Sequence, residues 1–213
     1  MSLLYIKDNP VGIDTVVNEL NSKLFNALTT NNGWENYNAY HRAYKNPTQE
    51  GIIAEVFDKD DKDYKEVFFD DTLSASSFFV IDDNINPVDN GRIMSTTVSA
   101  IFQVNLEEVA GIIEGRADEE VVEQVVNALR VSAFGDISAI VRGIDNVYSG
   151  FRTDNIQYTD MSPFFCFRVD MDVTFQYACC SDCDYTPTEG GFLLLEDGGY
   201  LIFEDGGKII LNN

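Results

Sequence analysis

Basic residues are scarce in this chain of 213 residues. Lys and Arg total 14 against 36 Asp and Glu, a formal net charge of −22. Nucleic acid is gripped by cations that displace counterions from phosphates, so this balance argues against a DNA- or RNA-gripping protein. Docking on an anionic membrane surface is excluded on the same ground. Long apolar runs are missing too, and no stretch approaches the length of a membrane-spanning helix. The opening residues, Met1-Ser2-Leu3-Leu4-Tyr5-Ile6-Lys7-Asp8, lack the apolar core of a secretion signal. The expectation is a soluble protein made in a cytoplasm.

Histidine is reduced to one residue, His41. A single imidazole in an aromatic, polar segment does not assemble a Ser/His/Asp or Cys/His relay with any evident partner. No GxxxxGK[ST] run, no GxGxxG before a helix and no HExxH occurs. The chain is therefore read as a non-enzyme without a cofactor. Cysteines are few: Cys166, Cys179, Cys180 and Cys183. Three of them within five residues make no disulfide framework. Cys180-Ser181-Asp182-Cys183 is a lone CxxC, short of the four ligands that zinc needs unless a neighbouring subunit shares the site.

Acids are abundant, yet their spacing is poor for a metal. Asp58-Lys59-Asp60-Asp61-Lys62-Asp63 imitates a calcium loop, but Lys62 stands where an oxygen ligand belongs and Asp63 where glycine belongs. It reads as a solvated hairpin tip. Asp170 and Asp172 share one face of a strand, but Arg168 on that face is the simpler charge partner. No metal ligand is assigned.

What is present is a full hydrophobic complement. Apolar residues make up 45% and aromatics 12%, enough for a core without disulfides or a structural metal. Ile13, Val16, Val17, Leu20, Leu24 and Leu28 recur on one helical face, with Asn18, Asn21, Ser22 and Asn26 opposite. A second stripe, Val121, Val122, Val125 and Leu129, follows Asp118 as a plausible N-cap, with Glu119 and Glu120 in the first turn. Residues 51–81 read as strands around the 58–63 tip. Two long strands alternate strictly: Val98 to Leu106, and Phe165, Phe167, Val169, Met171, Val173, Phe175 and Tyr177. Such strands are expected to be buried on one face and wet on the other. Residues 137–160 suggest short strands around Ile140-Val141, Ile144, Val147-Tyr148 and Ile156-Tyr158.

The fold class is α+β: an antiparallel sheet flanked by two amphipathic helices, closed by a C-terminal β repeat of short strands. The repeat has a period of eight. Gly190-Gly191-Phe192-Leu193-Leu194-Leu195-Glu196-Asp197 is followed by copies at 198–205 and 206–213. Each offers an apolar strand, and each Glu-Asp-Gly-Gly joint supplies turn glycines. The domains expected are 1–185 and 186–213. Partner-binding candidates fall in two places. Trp34, Tyr37 and Tyr40, followed by His41 and Tyr44, form an aromatic stretch that is either a packed or partly exposed loop or a protein-contact surface. Phe192, Leu194, Tyr200, Ile202, Phe203, Ile209 and Leu211 are the apolar positions of the repeat, open to strand pairing with a neighbour or folded back on their own domain.

The order helix (13–28), hairpin region (51–81), long strand (95–106), helix (118–134), long strand (164–178) resembles the tail-terminator and head–tail connector proteins of tailed bacteriophages. The closing glycine-rich run is similar to tails on many phage structural proteins. The resemblance implies an α+β subunit that assembles into a homo-oligomeric ring in the neck or tail of a virion. Such a ring lines the DNA conduit, joins neighbouring neck or tail proteins and is assembled in the host cytoplasm. An acidic wall lets DNA pass without specific binding. The alternative class is an acidic calcium-binding surface or adhesion module.

Overall fold

The computed structural model describes residues 1–59, 62–67, 72–88, 93–111, 115–130, 135–153 and 162–177, and the backbone of strands at 193–194, 200–204 and 208–212. The chain divides into two compact units, Met1–Tyr177 and Ala178–Asn213.

In the first unit the apolar stripe of residues 13–28 becomes helix α1 (Ile13–Asn26), which runs on into a π-helical turn, Ala27–Asn31. Gly12 starts it at φ 56°, a left-handed conformation that favours glycine, and a Cβ there would stand 2.9 Å from the Tyr177 ring, which would have to move. Val17, Leu20, Leu24 and Leu28 are fully buried. Each contributes about 1.5–3 kcal/mol through the apolar surface it removes from water. Asn21, expected on the wet face, is buried as well. Its amide donates to the carbonyls of Tyr5 at 3.0 Å and Ala39 at 3.3 Å, which tie the N-terminal segment to a strand.

The main sheet takes strands β1 (Leu3–Leu4), β2 (Tyr37–Arg42), β6 (Ala75–Ile81), β8 (Ile93–Asn105), β10 (Phe164–Phe175) and β9 (Gly135–Arg142) in the spatial order β1-β2-β6-β8-β10-β9. A short strand, β7 (Asn86–Val88), also pairs with β8. The sheet is mixed rather than antiparallel throughout, because β1 with β2 and β2 with β6 run parallel. At its centre β8 and β10 pair antiparallel over twelve positions, from Phe164↔Asn105 to Phe175↔Met94. Helix α1 and helix α3 (Asp118–Arg130) pack together on one face. Asp118 is the first residue of α3 rather than its cap. A short helix, α2 (Leu106–Ala110), begins directly at the end of β8, capped by the Asn105 side chain, which accepts from the N–H groups of Glu107 and Glu108.

The other face is not wet. A second three-stranded antiparallel sheet, β3 (Tyr44–Thr48), β4 (Gly51–Asp58) and β5 (Asp63–Glu66), covers part of it. Ala54 and Val56 pack there with Phe78, Ile101, Val147, Tyr148 and Cys166. Gln103, in the nominally polar row of β8, is buried because its amide is satisfied: Ser76 Oγ donates to its Oε1 at 2.9 Å and its Nε2 donates to the Tyr148 hydroxyl. Residues 144–147 form a helical turn, α4 (Ile144–Val147), where a strand was expected. Arg168 explains why the turn holds. Its Nη1 donates to the Asn146 and Val147 carbonyls at 2.8 and 3.1 Å, while Nε and Nη2 clasp Asp170 at 2.8 and 3.1 Å. Asp170 also accepts from Ser99, and Asp172 from Thr97. Asp170 thus has the arginine partner that the sequence suggests, whereas Asp172 is held by a threonine hydroxyl.

The second unit holds an antiparallel sheet of β11 (Leu193–Leu194), β12 (Tyr200–Glu204) and β13 (Lys208–Asn212), with β12 in the middle. Leu193 pairs with Leu201 and Ile202 with Ile210.

Candidate functional site

Of the partner-binding candidates, the aromatic stretch belongs to the core. Trp34 and Tyr37 are almost wholly buried and meet edge to face at 5.4 Å. Trp34 Nε1 donates to Gln124 of α3 at 2.7 Å, and the Tyr37 hydroxyl shares a 2.6 Å hydrogen bond with Ser77. Burial pushes the Tyr37 phenol well above its ordinary pKa. Tyr40 is buried on the opposite face, stacked on Tyr5 at 4.9 Å. These three rings staple elements together and are not available as surface anchors in this chain. Among the repeat candidates, Leu194 lies in β11, Tyr200, Ile202 and Phe203 in β12, and Ile209 and Leu211 in β13. Phe192 and Cys179, Cys180 and Cys183 lie outside the described residues.

The structure brings other residues together. The N-terminal segment is laced to α1, since Lys7 N–H donates to Asn18 Oδ1 at 3.0 Å and Asn18 Nδ2 donates back to the Lys7 carbonyl at 2.8 Å. That places Lys7 and Asp8 beside the end of β2, at His41 and Arg42. The chain then turns into the hairpin sheet through Ala43 alone, whose N–H donates to the Phe79 carbonyl at 2.7 Å. On the outer face of that sheet Phe57 pairs in register with Tyr64, their rings 5.3 Å apart, and Tyr44 meets Tyr64 at 5.6 Å. Tyr5, Lys7, Asp8, His41, Arg42, Tyr44, Phe57, Lys59 and Tyr64 enclose a cleft of about 320 Å³.

Electrostatics in the cleft differ from those of the whole molecule. Asp14, buried at the base of α1, binds Lys7 Nζ and stands 3.4 Å from Arg42 Nε. Arg42 also lies over the Tyr44 ring, 4.9 Å from its centroid. Lys59 reaches Asp8 at 3.2 Å across the mouth. His41 sits behind the wall. Its Nε2 is buried without a hydrogen-bond partner among the described residues. Burial lowers its pKa to about 4, against the opposing pull of Asp14, whose charge and backbone both favour the proton. The arrangement offers a neutral imidazole, an aromatic wall and a cationic floor.

Tyr44 stands in the aromatic stretch that the sequence offers as a contact surface, but sequence reasoning missed Phe57 and Tyr64 as its surface partners. Ile52, Ile53, Val56 and Phe57 are apolar at both parities, so alternation cannot say which face of β4 turns inward. A larger open groove, about 800 Å³, runs between the end of α1 and α3, but it is lined by Lys23, Glu123, Gln124 and several asparagines and carries no aromatic wall. Among the described residues, no group of three or more His, Cys, Asp or Glu side chains is placed to hold a metal ion, and no helix is long and apolar enough to cross a membrane. Asp58, the first acid of the calcium-like run, is buried and bonded to Lys65. No family model matches the sequence, and comparison with curated proteins gives no match either.

Proposed function

We propose that the chain is a virion structural protein that forms a ring in the head–tail connector or tail of a tailed bacteriophage. It joins neighbouring neck or tail proteins, lines the conduit through which DNA passes without specific binding, and performs no catalysis. The observation that carries this reading is the layering of the first unit. One long sheet has α1 and α3 side by side on one face and a hairpin sheet on the other, an arrangement that resembles ring-forming phage subunits. The charge of −22 supports a conduit role, because a polyanion sliding along an acidic wall keeps water and counterions between the two surfaces.

Light scattering coupled to size-exclusion chromatography, followed by negative-stain electron microscopy, tests the proposal. A closed cyclic oligomer is expected, alone or with a neck or tail partner. A monomer under every such condition would overturn the ring reading.

A further inference from the structure

We propose that the cleft between the N-terminal segment and the hairpin sheet docks an acidic segment of a protein partner, which inserts one aromatic side chain. Size is the first argument. At about 320 Å³ the cleft lies at the lower limit of ligand sites, roughly 300–1,000 Å³. It accommodates one large side chain and not a helix or a strand.

The walls are the second argument. Phe57 is 42% exposed and Tyr64 51% exposed, and the two meet edge to face within a group that Tyr44 completes. Paired aromatic rings left to water are the residues from which interface anchors are drawn. A further ring entering the cleft extends the same edge-to-face packing. Ile6, 37% exposed, adds to the apolar rim.

Charge decides the partner. In a chain where acids exceed bases by 22, the described residues of this cleft include Lys7, Arg42 and Lys59 against Asp8, with buried Asp14 behind them. The first two cations are held by buried Asp14 and form a fixed floor. Lys59 is different. Its carboxylate, Asp8, is 83% exposed, and exposed pairs of this kind are worth at most about 1 kcal/mol. Lys59 therefore exchanges readily to a carboxylate that a partner brings. A nucleic acid strand also offers rings and negative charge, but it carries a phosphate at every residue and meets the repulsion of the whole acidic surface. A short peptide with a few acids beside a neutral ring carries its charge only at the cleft, where the three cations stand, and not along the rest of the surface. All these residues lie within the first unit, and the cleft fills whether or not the chain forms a ring.

Fluorescence anisotropy on the full-length protein tests this, with the fluorescein-labelled peptide Gly-Asp-Glu-Tyr-Glu-Asp-Gly as probe. Saturable binding is expected. Alanine in place of the peptide tyrosine, or Tyr64→Ala in the protein, weakens it at least about tenfold. Lys59→Glu weakens it similarly, and that variant instead takes up a peptide whose acids are replaced by lysines. Both substitutions are at exposed positions, and circular dichroism checks that the fold is intact. No saturation up to about 1 mM peptide, or binding indifferent to both substitutions, overturns the proposal. Displacement of the peptide by lower concentrations of oligothymidylate also overturns it and marks the cleft as a single-strand site.

Discussion

Acidification should weaken this protein through one side chain. The His41 Nε2 atom is buried and unpartnered among the described residues, so a proton added there meets no acceptor. Desolvation and the nearby Arg42 and Lys7 charges oppose protonation, whereas Asp14 favours it, and the balance puts the pKa at about 4. In the unfolded chain His41 titrates near 6.5. The folded value is the lower of the two, so the unfolded state binds the proton first. Stability is complete above about pH 7 and falls as pH drops through 6.5 toward 4. At about 1.4 kcal/mol per pH unit over that interval, the loss between pH 7.5 and pH 5 is about 2 kcal/mol. Urea unfolding at a series of pH values measures it, and His41→Gln serves as the reference because glutamine does not titrate. The difference between the two proteins isolates His41 from the 36 carboxylates. With one histidine in the chain, an NMR titration of the imidazole is unambiguous. A folded-state pKa of 6 or above, or parallel pH curves for wild type and variant, would refute the reasoning.

Val169→Asp places a carboxylate in the fully buried row of β10 and should unfold the protein, since that costs several kcal/mol against a total stability of about 5–15. Asp170→Asn should cost only about 1–3 kcal/mol, for the loss of its charge-assisted bonds to Arg168, and equal effects in urea would mean that the two faces are misassigned. Gly135→Ala puts a Cβ 2.3 Å from the Asp172 carbonyl oxygen, so β9 must shift. A thermal midpoint lowered by several degrees is expected, and an unchanged one would show that the edge strand yields freely. Duplex DNA should run unretarded with the protein at physiological salt, whereas a shift that weakens steeply with added salt would contradict the acidic-wall reading. Deletion of residues 186–213 should leave the circular dichroism of the remaining chain that of a folded protein while abolishing assembly with its partner; unfolding of 1–185 would place the repeat in the core.

What could be read from the sequence follows the range over which each signal acts. The β10 alternation is visible because its period of two runs through six apolar residues, Phe165 to Phe175, and one face meets the helices. Tyr177, expected in the same row, lies past the strand end and is exposed. The α1 and α3 stripes are visible for the same reason at a period of 3.6. Burial of the opposite face was not readable. Cys166, Ile101 and Gln103 are covered by a hairpin from residues 51–66 and by α4, and no local pattern announces that contact. Gln103 and Asn21 look like surface residues until their partners are known, because a satisfied amide is as much at home inside as a leucine. Ile144–Val147 is too short to display any period, and Arg168, twenty residues on, closes its carbonyls. The cleft depends on which parity of β4 turns outward, and that is set by the packing of Ala54 and Val56. Its aromatic group is a tertiary fact, whereas the eight-residue repeat is a purely sequential one.

Ala43 is the only residue between β2 and β3, and its N–H is tied to β6 through Phe79. A corner that short has no slack. The hairpin sheet is fixed at that corner by one buried alanine and again, through Ala54 and Val56, against the face of the main sheet. Both anchors lead to β6, a strand next to the middle of the main sheet, through Phe79 at the corner and Phe78 under the hairpin. A partner seated on the outer arm would therefore push on the centre of the subunit, and strain arriving from the centre would widen or narrow the grip at the rim.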